Sequence, residues 1–106
     1  MIAGGVQRIP VEDIIYLRAD QKYVTVLHSG GESLLEESLK SLEQRFSGRF
    51  LRIHRNALVA RQRVIGLEKA SDGRCCLRME QTEERLEISR RHLAQVRRWL
   101  KSGRPH

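Results

Sequence analysis

A chain of 106 residues, 40% hydrophobic and 5% aromatic, suffices for one domain and excludes two. With 31% charged residues and no apolar run near the roughly 18 residues of a spanning helix, a membrane partner is excluded. The formal charge of +7 arises from 20 bases against 13 acids, a surplus whose position along the chain matters more than its size.

The opening Met1-Ile2-Ala3-Gly4-Gly5 lacks both the basic and the apolar region of a retained signal peptide, and none is expected. Residues 1–5 are expected to be a tail or linker remnant and 102–106 a second tail, which leaves 6–101 as the domain. Ile14-Ile15-Tyr16-Leu17 is a continuous apolar run, as in a strand covered on both faces. Tyr23 to His28 is rich in β-branched and aromatic residues and is followed by the turn Ser29-Gly30-Gly31. From Ser38 to Phe46 the period changes: Leu39, Leu42 and Phe46 form one helical stripe, Glu36 and Glu37 precede it where the dipole favours acids, and Gly48 suits its end. Leu51-Arg52-Ile53-His54 alternates, with Leu51 and Ile53 inward. Asp72-Gly73 joins strands at Val64–Ala70 and Arg74–Glu80 as a hairpin, because glycine accepts the positive φ of a primed turn. Cys75, Leu77 and Met79 share the inner face of the second of these strands. Leu86 and Ile88 alternate with Arg85 and Glu87, and Ser89 then caps a last helix with a stripe of Leu93, Val96 and Leu100 and Trp99 beside it. Strands joined by short turns, with two short helices, predict a mainly β fold of small antiparallel sheets.

From Gln44 to Leu67 there is no acid but six arginines, Arg45, Arg49, Arg52, Arg55, Arg61 and Arg63. From Ile88 to His106 there is again no acid, and Arg90, Arg91, Arg97, Arg98, Lys101 and Arg104 supply six further bases. The remainder holds 8 bases and 13 acids and is net acidic. A proteome-wide preference for arginine explains arginine over lysine; it does not empty two segments of acid. Basic charge so concentrated points to a polyanion. Arg90 and Arg91 fall in the first turn of the last helix, where cations cost about 0.3–1 kcal/mol each. A phosphate there would reverse that sign by drawing two guanidinium forks and the free first-turn N–H groups onto one anion. The alternative is that both side chains simply extend into solvent.

No catalytic constellation is present: neither a Gly-rich phosphate loop, nor a nucleophile elbow, nor a paired-histidine metal motif. His28, His54, His92 and His106 have no metal partner at a chelating spacing. Glu36-Glu37 and Glu83-Glu84 are adjacent carboxylates that diverge and are expected to be solvated. Cys75 and Cys76 stand next to each other and alone, which excludes a disulfide framework and a structural zinc and suits a reducing, cytoplasmic compartment; their reactivity depends on burial. No enzyme activity, metal or cofactor is expected.

The segments Pro10–Leu17, Asp20–Val26, Ser38–Glu43, Phe50–Asn56 and Leu86–Arg91 together resemble the LytTR domain, the DNA-binding part of bacterial response regulators of the alginate, autolysin and quorum-sensing type. The resemblance runs from about Val6 to Lys101, and its specific part is Arg52-Ile53-His54-Arg55 followed late in the chain by Ser89-Arg90-Arg91. It implies small β-sheets packed in layers with short helices, and DNA read by loops rather than by an inserted helix. Carried over, Lys22 and Tyr23 belong to a first loop, Arg55 and Asn56 to a middle loop near the DNA backbone, and Arg90 and Arg91 to a last loop in a major groove. It also implies a receiver domain, absent from this chain, and two such domains dimerised on imperfect direct repeats, the isolated domain being monomeric. Two positions depart from the family pattern: Asn56 stands where serine is more usual, and Ala60 where an asparagine often follows valine.

An arginine fork matches O6 and N7 of guanine, which makes Arg91 the candidate for base readout. Arg52, Arg55, Arg61 and Arg63 are expected to clamp phosphates, and His54, on the face of Arg52, either orients that clamp or makes a structural hydrogen bond. Two rivals remain. A structured-RNA-binding basic β module would carry the same charge, although five aromatic residues, mostly on core stripes, provide few stacking platforms. A basic face meeting an acidic protein has the least support.

Overall fold

The computed structural model describes residues 9–102; the tail expected at 1–5, and all but Ser102 of the one expected at 102–106, lie outside the described residues. Eight strands and two helices follow in order: β1 (Ile14–Ala19), β2 (Val24–His28), β3 (Gly31–Leu35), α1 (Leu39–Arg45), β4 (Phe50–His54), β5 (Ala57–Ala60), β6 (Val64–Lys69), β7 (Cys75–Met79), β8 (Arg85–Glu87) and α2 (Arg90–Lys101). They form an antiparallel five-stranded sheet of order β3-β2-β1-β5-β4 and an antiparallel three-stranded sheet of order β6-β7-β8.

The large sheet is apolar on both faces. On one, Leu17, Val26, Phe50 and Leu58 meet Leu39 and Leu42 of α1. On the other, Ile15, Tyr16, Leu51, Ile53 and Val59 meet Leu77 and Met79 of the small sheet and Val96 and Trp99 of α2. The result is three layers, with the five-stranded sheet in the middle. β1 shows how the run Ile14–Leu17 serves both cores. A bulge between Ile14 and Tyr16 breaks strict alternation, so neighbouring Ile15 and Tyr16 join the same core. Each β1 residue from Ile14 to Leu17 is buried.

Two strands carry no periodic signal. β5 is four residues long and buried on both faces, with two alanines where bulk is not needed, so the polar half of the alternation is missing. β3 has no β-branched or aromatic residue and is an edge strand, held by its full ladder to β2. The Asp72-Gly73 hairpin forms, but not as a two-residue primed turn. The backbone bonds Ala70 N to Arg74 O (2.7 Å) and Gly73 N to Ala70 O (2.9 Å) close a three-residue loop. Only Gly73, at φ +90°, takes the left-handed conformation there.

The helix starts differ as well. Ser38 caps α1 through its side chain, accepting the Ser41 N–H at 3.1 Å. Ser89 occupies the corresponding position of α2, but its hydroxyl bonds His92 Nδ1 at 2.7 Å and caps no backbone group. Of the adjacent carboxylates expected in solvent, Glu36, Glu83 and Glu84 are exposed and Glu37 is half-buried, and two of the four have side-chain partners. Glu37 pairs with Arg45 at 3.1 Å and accepts from the Ser41 hydroxyl at 2.7 Å. Glu84 Oε1 accepts the Tyr16 hydroxyl at 2.6 Å, with Arg18 3.6 Å from Oε2. Burial, and then this bond to a carboxylate, push the Tyr16 phenol up to about 12. Cys75 is buried and Cys76 half-buried, and burial raises the Cys76 thiol, which disfavours a reactive thiolate.

Candidate nucleic-acid interface

β1 and β4 run toward the same end of the middle sheet, and three chain segments meet there. The first is the loop Asp20–Tyr23 between β1 and β2, closed by Asp20 N to Tyr23 O at 2.8 Å and by Gln21 N to the Asp20 carboxylate at 2.7 Å. The second is the two-residue turn Arg55–Asn56 between β4 and β5. The third is the junction between β8 and α2, at Ser89–Arg91. Backbone bonds stitch the three together: Ala19 N donates to Asn56 O at 2.8 Å, and Ser89 N to Ile53 O at 2.9 Å. These bonds satisfy polar groups that the ladders leave open at the strand ends.

Lys22, Arg55, Asn56, Arg90 and Arg91 are all exposed at this pole, and among the described residues none of the four cations is ion-paired. Tyr23 is 42% exposed, which for a large apolar side chain is unusual in this chain. Behind this front stand half-buried Arg52, His54 and His92. Arg52 contacts Glu43 at 3.2 Å and donates through Nη1 to the Arg55 carbonyl at 2.7 Å. His54 Nδ1 accepts the Asn56 N–H at 3.2 Å, the structural hydrogen bond that was one of its two expected roles. Burial holds His92 below the usual histidine range, and the positive charges of Arg52 and Arg91 add to it.

Arg61 and Arg63 are not part of this group. They follow β5, whose length carries the chain about 16 Å away from Asn56. Arg61 Nε donates to Phe50 O at 3.2 Å, and Arg63 Nη2 to Glu12 O at 2.6 Å. Arg49, 3.7 Å from the Glu12 carboxylate, completes a cleft of about 330 Å³ at that opposite pole. Sequence reasoning also passed over Arg18 and Arg85. Together with His54 and Asn56 they line a cleft of about 320 Å³ between the middle turn and β8. The position of Arg18 at the end of β1, two residues before the first loop, was the available signal; for Arg85 there was none.

Among the described residues there is no cluster of His, Cys, Asp or Glu fit to hold a metal ion, and no helix long and apolar enough to cross a membrane. What the pole presents is a cationic surface, with Asn56 and Tyr23 among the exposed side chains.

Comparison with known proteins agrees. The positive alginate biosynthesis regulatory protein of Pseudomonas aeruginosa is 50% identical over 97 residues, 91% of this chain. The chain spans 39% of that relative's length. A LytTr DNA-binding domain of a putative methyl-accepting/DNA response regulator from Bacillus cereus has the same fold, with a TM-score of 0.82 at 22% identity over 94% of this chain and 92% of that one. Residues 4–101 match the LytTr DNA-binding domain family, and the chain belongs to that family.

Proposed function

We propose that this domain is the effector part of a two-component transcriptional regulator and binds double-stranded DNA sequence-specifically through the three loops of one pole. Arg91 reads guanine in a major groove, with Arg90 beside it on the backbone. Arg55 and Asn56 hold the backbone between grooves, and Lys22 and Tyr23 approach the neighbouring groove. Arg18 and Arg85 border the same path. A receiver domain elsewhere in the regulator brings two copies together on imperfect direct repeats, in the cytoplasm.

The observation that carries this reading is the backbone stitching of the three loops, Ala19 to Asn56 and Ser89 to Ile53, which holds unpaired cations from three distant parts of the chain on one surface. A charged face assembled in this way is preorganised for a rigid polyanion, whose contacts recur along a helix.

Selection from random duplexes at about physiological salt, where nonspecific attraction is already weakened, tests it. The expected result is an enriched site made of two similar half-sites in tandem. Failure to enrich any sequence, together with equal competition by structured RNA of the same length, would overturn sequence-specific duplex binding and favour the RNA module.

A further inference from the structure

The middle turn lacks the means by which two-residue hairpins usually hold themselves. Such hairpins take primed turns with positive φ at one or both central residues. Arg55 and Asn56 do not, since Gln81 has the one positive φ among the described non-glycine residues. The β4–β5 ladder is also irregular between Arg52 and His54, directly beside the turn. Asn56 is held by His54 Nδ1, which accepts its N–H at 3.2 Å, and by the Ala19 N–H on its carbonyl at 2.8 Å, so it is the Arg55 side of the turn that must be fixed from elsewhere.

The guanidinium of Arg52 is in place to do so. Its side chain is 19% exposed, and its two edges face different partners. Nη1 donates to the Arg55 carbonyl at 2.7 Å, while Nε and Nη2 lie 3.3 and 3.2 Å from Oε1 of Glu43 on α1. A planar fork held by a carboxylate at one edge fixes the direction of the donor at the other. Arg52 is thus engaged inside the protein, and the phosphate-clamping role expected from its sequence position would require it to leave both partners.

We propose that Arg52 is a positioning residue for DNA binding and Glu43 its anchor: the link from α1 through Arg52 fixes the Arg55 carbonyl and so aims Arg55 and Asn56 at the DNA backbone. This rests on the duplex-binding reading above. It also reverses a sign. A carboxylate behind a phosphate-binding face opposes binding by simple charge counting, and its removal should tighten the complex. As the anchor of the turn, Glu43 supports binding, and its removal loosens it.

The test uses the full chain and a duplex from the selection, with affinity measured at several salt concentrations. Glu43→Ala keeps α1 intact, because the helix packs through Leu39 and Leu42. It should weaken binding about three- to tenfold. The slope of log affinity against log salt should become shallower by about 0.9, the loss of one phosphate contact. Arg52→Lys preserves the charge but cannot span both partners, and should bind as poorly as Arg52→Ala. In the Glu43→Ala background, Arg55→Ala should cause little further loss. Asn56 amide hydrogen exchange in the free protein should quicken in Glu43→Ala, a readout that needs no DNA. Equal or tighter binding by Glu43→Ala, full affinity in Arg52→Lys, or unchanged Asn56 exchange would each overturn the inference. If wild-type protein binds no duplex while Asn56 exchange quickens as expected, the DNA-binding reading fails and the brace stands.

Discussion

The two poles of the middle sheet are both rich in arginine, yet the arginines are used differently. At the loop pole, Arg55, Arg90 and Arg91 are exposed and unpaired among the described residues. At the opposite pole, Arg61 and Arg63 donate to main-chain carbonyls of Phe50 and Glu12, and Arg49 faces the Glu12 carboxylate. The acid-free segment from Gln44 to Leu67 feeds both poles. Charge counted along a chain therefore detects that cations are concentrated; it does not tell Arg55, left free at the loop pole, from Arg61 and Arg63, which β5 carries to the far pole, or from Arg52, which Glu43 and the Arg55 carbonyl hold inside the protein.

The largest effect that would sharpen this contrast is expected at Arg91. Arg91→Ala should lower the preference for the selected site over a one-base variant by about 1–3 kcal/mol, or roughly 5- to 150-fold, in competition binding. An equal loss on both sequences would reduce Arg91 to a backbone contact. Arg55→Ala should produce that second pattern, with affinity falling on every sequence and the salt slope shallower by about 0.9.

Arg61 gives the opposite result if the poles are as distinct as their contacts. Arg61→Ala should leave DNA affinity within about twofold and the salt slope unchanged. Denaturant unfolding should instead show a loss of about 0.5–1.5 kcal/mol, the worth of a part-buried hydrogen bond. A shallower salt slope in Arg61→Ala would mean that DNA also reaches the far pole, and the contrast would break.

The extent to which this was legible in the sequence follows the same division. Alternation located β1, β2, β4, β7 and β8 because each presents a contrast between faces or a dense β-branched run. It missed β5, where both faces are covered, and β3, an edge strand whose residues are ordinary loop formers. Arg90 and Arg91 were legible because they break a local rule at a helix start. Arg52 was visible as a residue but not in its contacts, since Glu43 lies nine residues away and on another element. Glu84 is exposed as expected, but nothing in the chain announces its bond to Tyr16, 68 residues away. Patterns of period two and 3.6 report which face is buried; they carry no information on which distant side chain an arginine or a carboxylate will meet.

The smallest expected effect is a pH dependence confined to the loop pole. His92 is half-buried, and the charges of Arg52, Arg91 and His54 oppose its protonation while that of Glu43 favours it. Burial, and then those positive charges, hold its folded-state pKa below the ordinary value near 6.5. The sign follows from linkage. The unfolded chain binds the proton more readily, so the stabilisation from a neutral His92 is complete above about 6.5 and declines as pH falls toward the folded-state value. Denaturant midpoints should thus shift down modestly between pH 7.5 and 5.5, and His92→Gln should flatten that shift while leaving the midpoint at pH 7.5 nearly unchanged. DNA should also blunt the shift. A phosphate near Arg91 offsets the positive field at His92 and raises its affinity for the proton, so the complex loses less stability on acidification than the free domain. If the free domain and the complex instead respond alike, Arg91 is not close to a phosphate when DNA is bound, and the loop pole is no more an anion site than its opposite.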